Sequence, residues 1–146
     1  MIKRLMLIFV AVACTCAVVD AQTAKRRPVK MGPPNGIFTP AIVVGDLVFT
    51  SGQIGIDSKT GQLPEGFEAQ FEQVFRNLTA VLEASGSSVD HMVKATVFLA
   101  DMNDYTKMNE LYRAKFKSDP PARTTVQVAG LPRAARVEIE AVAVVK

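Results

Sequence analysis

The alternation of apolar and polar residues predicts two short strands and a helix at the start of the folded region. Apolar runs at residues 41–44 and 47–50 flank Gly45 and Asp46, a pair that suits a tight hairpin turn because glycine adopts positive φ without strain. We expect the second strand to continue to residue 56. Over residues 67–82 the apolar side chains recur at spacings of three and four, which predicts an amphipathic helix that ends at Gly86.

A third strand and a second helix are predicted next. Apolar positions alternate over residues 93–99, which indicates a strand with at least one buried face. We expect Asp101 or Asn103 to cap the helix that follows, since short polar side chains accept hydrogen bonds from the first free N–H groups. Its apolar stripe reaches Phe116, and the Asp-Pro-Pro sequence at 119–121 should end it.

The last two strands are predicted at residues 124–128 and 136–145. The order strand, strand, helix, strand, helix, strand, strand favours a single α+β domain with two helices packed on one face of a mixed sheet. In the final strand Val142 and Val144 share one face with two glutamates, whereas the other face is apolar throughout. Because helices would cover only one face, we expect a second copy of the chain to cover the other in a symmetric oligomer.

Residues 1–21 are typical of a signal peptide. Lys3 and Arg4 precede an apolar run of about 15 residues, and small side chains flank the expected cleavage point just before Gln22. A membrane span needs about 20 apolar residues, so cleavage is favoured over permanent anchoring. Cys14 leaves a lipoprotein alternative open. A cleaved leader predicts a periplasmic or secreted protein.

Composition narrows the chemistry of the mature chain. Both cysteines, Cys14 and Cys16, lie in the leader, so the mature chain has no disulfide, no thiol nucleophile and no cysteine-bound metal. Residues 22–36 hold two basic clusters and three prolines, which predicts a flexible basic arm before a domain at 37–146. No basic face follows this arm, so we expect no nucleic-acid partner and, after removal of the leader, no membrane contact.

Few side chains in this sequence are equipped for catalysis. His91 is the sole histidine and is interpreted as a surface residue, and the sequence has no phosphate loop, nucleotide fingerprint or histidine-based metal motif. The remaining candidates are polar residues at strand ends and on the second helix: Ser51, Asn109, Arg123, Thr125 and Glu138. Judged by residue type alone, Arg123 and Glu138 fit a cross-strand ion pair as well as a functional site.

Three separated motifs resemble the reactive intermediate deaminase family, also called Rid or YjgF and formerly named after endoribonuclease L-PSP. The motifs are TSGQIGID at 50–57, PARTTVQVAGLP at 121–132 and RVEIEAVAV at 136–144. The segments VKATVFLADMNDY and MNELYRAKF lie between them in the expected order. The resemblance extends from about residue 36 to the last residues, and three motifs in register make it specific.

This resemblance implies a fold, an assembly and an activity. The fold is chorismate-mutase-like, and the assembly is a homotrimer with ligand sites in the clefts between subunits. Members with the full motif set are similar in hydrolysing 2-imino acids, or enamines such as 2-aminoacrylate, to 2-oxo acids and ammonia. The implied ligand is therefore a small imino or oxo acid, and no cofactor or metal is implied.

The family roles carry over to residues that match its motifs. Arg123 matches the arginine that holds the substrate carboxylate, for which a planar and permanently charged guanidinium is suited. Glu138 matches the glutamate that positions the attacking water. Ser51 and Gly52 match the segment that lines the pocket, and Asn109 matches an asparagine of the cleft.

Two residues depart from the most typical members of the family. Phe38 stands where many members have tyrosine, and it keeps an aromatic wall while losing a hydroxyl group. Thr125 stands where many have cysteine and keeps a small polar group. Both are expected to contact substrate, so these changes bear on the preferred side chain and on the rate. The leader is a further departure.

Two other functions remain open at this point. The first is a binding protein that holds a small carboxylate in the same cleft without turnover. The second is a ribonuclease or translation inhibitor, an activity assigned to the family under older names. This second alternative ranks last because the chain has neither a histidine pair nor a basic groove.

Overall fold

A seven-stranded sheet with two helices on one face forms the protein in the computed structural model, which describes residues 25–32 and 37–146. The strands are β1 Arg26–Val29, β2 Ala41–Val44, β3 Leu47–Thr50, β4 Gln53–Ile54, β5 Met92–Leu99, β6 Ala122–Gln127 and β7 Val137–Val144. The helices are α1 Phe67–Ala84 and α2 Tyr105–Arg113. The predicted signal peptide lies outside the described residues.

The strand order confirms the predicted mixed sheet. Neighbouring strands follow the order β1-β2-β3-β7-β5-β6, and the short β4 pairs with β7 beyond the end of β3. Strands β5 and β6 are parallel, whereas the other pairs are antiparallel. A parallel pair needs a crossover connection, and α2 lies on the connection between these two strands.

Helix α1 covers the centre of the sheet with its apolar stripe. Phe71, Leu78 and Leu82 are fully buried in the core that this stripe forms with β5 and β7. The helix ends as predicted, since Gly86 adopts a φ of 84°, a left-handed conformation that glycine reaches without a Cβ penalty.

Helix α2 is shorter than predicted at its C-terminal end. Asp101 caps a short turn of 3-10 helix over Met102–Asp104, and α2 follows directly. The helix ends at Arg113 and does not extend to Phe116, because Lys115 N–H bonds the Tyr112 carbonyl group three residues back and tightens the turn. This tighter path places the Phe116 ring 4.9 Å from the Tyr112 ring.

The prediction of a flexible arm over residues 22–36 is wrong for Arg26–Val29, which form β1 at the edge of the sheet. Val29 is buried in the core and provides the apolar anchor of the strand, while Arg26 and Arg27 are exposed. Pro28 is tolerated because an edge strand leaves N–H positions unpaired. The predicted extension of the second strand to residue 56 is also only partly correct, since pairing resumes for Gln53–Ile54 alone.

The face of the sheet opposite the helices carries an apolar surface. Along β7, the odd-numbered residues 137–143 are buried beneath the helices and the even-numbered residues 138–144 are half-buried on the open face. The two-faced character predicted for this strand is therefore confirmed. On the same open face, Leu47 and Phe49 are 40% and 43% exposed, and Val126 on β6 is 37% exposed.

Candidate functional site

Arg123 lies on the edge strand β6 and points toward α2. It pairs in register with the buried Ala95 of β5, so its side chain lies on the helix side of the sheet. Its Nη2 donates a hydrogen bond of 2.5 Å to Asn109 Oδ1, and its Nη1 lies 3.5 Å from Met108 Sδ. The structure therefore brings together two predicted site residues, Arg123 and Asn109, through a direct contact.

An open depression of about 520 Å³ adjoins this arginine. Its lining residues are Asn109, Tyr112, Arg113, Phe116, Ser118, Pro120, Pro121 and Arg123. Two arginines and no carboxylate line it, so its charge suits an anion. The apolar part of the wall comes from Tyr112 of α2, Phe116 just beyond the helix, and the two prolines that precede β6.

Glu138 lies on the other face of the sheet. It pairs with Phe98 of β5 and with Ile54 of β4, and its side chain is half-buried on the open face. Burial raises the pKa of the Glu138 carboxyl group above its ordinary value, and the neighbouring Glu140 carboxylate adds to this shift. A raised pKa makes the carboxylate a better proton acceptor than an ordinary surface glutamate.

Gly52 lets the Glu138 carboxyl group approach the backbone closely. A Cβ atom added at Gly52 would overlap Glu138 Oε1 and lie 2.7 Å from its Cδ. A larger residue at position 52 would therefore require the Glu138 carboxyl group to move from this position. The predicted pocket segment and the predicted glutamate are brought together by this contact.

The segment that contains Ser51 and Gly52 is held by hydrogen bonds on both sides. Ser51 N–H donates to the Pro40 carbonyl oxygen at 2.8 Å, and Ser51 Oγ donates to the Thr39 carbonyl oxygen at 2.7 Å. Gln53 Nε2 donates to the carbonyl oxygens of Ser51 at 3.0 Å and Gly52 at 3.2 Å. The Ser51 proton is thus committed to the backbone, and its oxygen keeps acceptor capacity for a ligand.

The two departures from the typical family pattern lie in different places. Thr125 is two residues beyond Arg123 on the helix side, and its hydroxyl oxygen is buried without a hydrogen-bond partner in the described part of the chain. Phe38 is 56% exposed and precedes Thr39, the residue that accepts from Ser51. Phe38 therefore belongs to the Glu138 side and Thr125 to the Arg123 side.

Arg123 and Glu138 are not brought together within one chain. They lie on opposite faces of the sheet, with β5 between their strands. Their positions are three residues apart along the strands, about 10 Å, and two strand spacings apart across the sheet, about another 10 Å. The alternative of a cross-strand ion pair is therefore wrong.

The sole histidine takes no part in either cluster. His91 Nδ1 lies 2.8 Å from Ser88 Oγ in the short turn before β5. Among residues 25–32 and 37–146, no group of three or more potential ligands could hold a metal ion. No helix in this described portion is long and apolar enough to cross a membrane.

Residues 30–145 match the family model described as endoribonuclease L-PSP. The chain belongs to this family, which contains the YjgF and Rid proteins. Among its Rid relatives, the mouse protein named 2-iminobutanoate/2-iminopropanoate deaminase is 43% identical over 120 residues, which cover 82% of this chain and 86% of the mouse protein. The human protein of the same name is 44% identical over 120 residues and covers 82% of this chain and 85% of its own length.

Solved structures of Rid proteins confirm the predicted fold class. The Rid family protein YyfA of Yersinia pestis superposes with a TM-score of 0.79 at 36% identity, covering 83% of this chain and 100% of its own. TdcF of E. coli, solved with bound serine, gives a TM-score of 0.72 at 38% identity and covers 82% and 93% of the two chains.

Sequence reasoning missed two features of this Rid domain. By their spacing Met108 and Tyr112 belong to the apolar stripe predicted for the second helix, yet both contact the Arg123 guanidinium. The helical spacing contained the signal. Met108 and Tyr112 lie one position before and three positions after the candidate Asn109, so all three project from the same side of a helix. The close approach of Gly52 to Glu138 left no such signal, since it depends on the pairing of two distant strands.

Proposed function

We propose that this Rid protein hydrolyses 2-imino acids to 2-oxo acids and ammonia in a site assembled from two copies of the chain. One observation carries the proposal. The Arg123 guanidinium, held by Asn109, and the Glu138 carboxyl group, whose pKa is raised, lie on opposite faces of one sheet. Relatives at 43–44% identity bear the name of a deaminase for such imines.

A shared site requires Arg123 of one copy to approach Glu138 of the partner subunit. Packing of the open face of one subunit against the β6 edge of the next would achieve this and would also cover apolar side chains of the open face such as Leu47 and Phe49. The face of one subunit then meets the edge strand β6 of the next. A closed ring of three copies satisfies this head-to-tail contact, and we propose a homotrimer on this basis.

The reaction needs orientation of substrate and water more than strong chemical activation. In the proposed site, the Arg123 guanidinium binds the carboxylate of the imino acid through parallel N–H bonds, which directs the C=N carbon toward Glu138. The water oxygen bonds to the carbon of the protonated imine while Glu138 of the partner subunit accepts a proton from this water, and the C=N electron pair passes to the nitrogen, which becomes an amine. Glu138 of the partner subunit then returns its proton to the amine, the C–N bond breaks and ammonia leaves, and the hydroxyl group loses its proton to solvent as the C=O bond forms.

The remaining site residues contribute to positioning. Asn109 holds Arg123 through its side-chain oxygen and leaves its amide N–H groups for the ligand. Ser51 and Gly52 belong to the segment that lies beside the Glu138 carboxyl group at the open face. Phe38 supplies an aromatic wall on that side, and Thr125 provides a small hydroxyl group beside the arginine. We propose both as determinants of the accepted side chain.

We further propose that the protein acts outside the cytoplasm after loss of residues 1–21. The basic and apolar order of these residues supports export. The proposal is tested by N-terminal sequencing of protein recovered from an exporting host. A first residue near Gln22 supports it, and an intact Met1 in the periplasmic or secreted fraction contradicts cleavage.

The activity is tested with imines generated in situ by an amino-acid oxidase acting on a panel of amino acids. Formation of 2-oxo acid should exceed spontaneous hydrolysis, and Arg123→Ala should abolish the acceleration. Saturable binding of 2-oxo acids without turnover would instead support a binding protein. Cleavage of RNA that persists in Arg123→Ala and Glu138→Gln proteins would identify a contaminant and not this site.

A further inference from the structure

Tyr112 packs against the guanidinium group that the proposed function depends on. The Arg123 Cζ atom lies 4.6 Å from the centre of the Tyr112 ring, within the range of a cation–π contact. The ring itself is only 3% exposed. Nothing in the sequence assigned this residue a role beyond the apolar stripe of α2.

The Tyr112 ring is held in place from behind. Phe75 of α1 meets it edge-on, with ring centres 5.8 Å apart, and Phe116 contacts it at 4.9 Å with a tilt of 47°. Rings packed in this way have few alternative rotamers, because each would overlap a neighbour. Tyr112 therefore presents a rigid surface to Arg123.

Three residues of α2 together restrain the arginine. Asn109 Oδ1 accepts from Nη2, Met108 Sδ lies 3.5 Å from Nη1, and the Arg123 Cζ atom lies over the Tyr112 ring. The hydrogen bond and the sulfur contact hold the two terminal nitrogens, while the ring supports the central carbon. A guanidinium group has five N–H donors, so most of them remain for a ligand.

An aromatic ring restrains the arginine without competing for the same donors as the substrate. A carboxylate neighbour would occupy the planar edge at which a bidentate ligand binds. The ring face attracts the guanidinium charge and accepts no conventional hydrogen bond in the plane of the group. Burial raises the pKa of the Tyr112 phenol to about 12, although the Arg123 charge opposes this shift, so the phenol stays neutral at physiological pH.

We infer that Tyr112 is a positioning residue whose ring holds the Arg123 guanidinium plane in the orientation that binds the substrate carboxylate. The inference rests on the proposed function, and it adds the Tyr112 ring as the group that orients the Arg123 carboxylate anchor. Its role is carried by the ring face and not by the hydroxyl group.

The test compares Tyr112→Phe, which keeps the ring, with Tyr112→Leu, which removes it. We expect Tyr112→Leu to raise KM for an imino acid, and the dissociation constant for pyruvate, about 3- to 30-fold with a smaller change in kcat. Tyr112→Phe should retain most of the affinity. Binding of pyruvamide, which lacks the carboxylate, should not distinguish the two variants.

Phe75→Leu provides the matched control for loss of packing. Phe75 is 4% exposed and contacts the Tyr112 ring, but it does not line the depression beside Arg123. This variant should lose stability as Tyr112→Leu does but raise KM less, because the Tyr112 ring itself remains beside the guanidinium. If Tyr112→Leu does not fold, Tyr112→Met replaces it, since methionine fills the volume without a π face.

Three results would overturn the inference. The first is that Tyr112→Leu binds pyruvate as tightly as the wild-type protein while Arg123→Ala does not bind it. This result would leave the proposed function intact and would show that Tyr112 does not contribute to it. The second is an equal loss in Tyr112→Leu and Phe75→Leu, which indicates general loosening. The third is an equal loss in Tyr112→Phe, which assigns the effect to the hydroxyl group. Failure of Arg123→Ala to affect binding would instead contradict the proposed function itself.

Discussion

Mixing two inactive variants tests whether Arg123 and Glu138 act across a subunit boundary. Arg123→Ala removes the carboxylate anchor and keeps Glu138, whereas Glu138→Gln keeps the anchor and removes the proton acceptor. Because the two residues lie on opposite faces of the sheet in one chain, each variant can supply the group that the other lacks. Mixed oligomers should therefore regain activity that neither parent has.

The expected recovery follows from the proposed symmetry. In a ring of three copies with one site at each junction, any mixed trimer has a single junction that joins an intact Arg123 to an intact Glu138. About one third of the sites are then competent. A mixed dimer with two equivalent junctions would recover about one half, so the recovered fraction also reports the oligomeric state.

The assay needs oligomers that contain both variants. The two proteins are coexpressed with different affinity tags, and tandem purification retains only mixed species. Imine hydrolysis is then measured per chain against the wild-type protein, with each variant carrying both tags as the inactive control. No recovery in properly mixed oligomers would refute the shared site and place the chemistry within one chain.

Three further predictions concern single residues near the candidate site and the loop before β7. Glu138→Gln should abolish most turnover. It should also stabilise the fold at pH 7 by a few tenths of a kcal/mol, because burial of the charged carboxylate carries a desolvation penalty that is small for a partly exposed group. Folding raises its pKa above 4.5, so this gain in the free energy of unfolding should vanish as the pH falls below that value. Gly52→Ala should displace the Glu138 carboxyl group and lower kcat about tenfold or more, with a stability loss of about 1–2 kcal/mol in chemical denaturation; an unchanged kcat would contradict the close approach. Ala134→Gly should raise the free energy of unfolding by about 0.5–1 kcal/mol, because Ala134 has a φ of 55°, and equal or lower stability would argue against strain there.

The periodic elements of this fold are predictable because burial dictates their residues. The apolar spacing of α1, the alternation of β5 and the two faces of β7 each follow from one side of an element meeting the core. The end of α1 was equally predictable, since Gly86 adopts the left-handed conformation that favours glycine.

The parts that were mispredicted depend on contacts between distant segments. Polar composition indicated a flexible arm, but Val29 is buried and its strand pairs with β2, whose residues lie more than ten positions away. Beyond the tightened end of α2, the Phe116 ring packs against Phe75 of α1 as well as Tyr112 of α2. Local propensity does not contain either contact, so neither outcome follows from the pattern of the segment alone.

In the candidate site, too, the residues could be predicted from local sequence, whereas their arrangement depends on contacts between distant segments. Motifs in register identify Arg123 and Glu138 as a pair, but only the strand pairing shows that they face opposite sides of the sheet, which is the basis of the proposed site between subunits. A role for Tyr112 could not be predicted from the sequence, because core packing alone explains an aromatic residue on the apolar face of a helix. Its function emerges only from its position beneath the guanidinium group.

The most direct test of the account is the rate of 2-oxo acid formation from an imine supplied by an amino-acid oxidase, measured with wild-type protein and with Arg123→Ala. We predict that the wild-type protein accelerates hydrolysis in proportion to its concentration and that the variant is indistinguishable from buffer. Equal rates with wild-type protein and with buffer, across imines from several amino acids, would contradict the account.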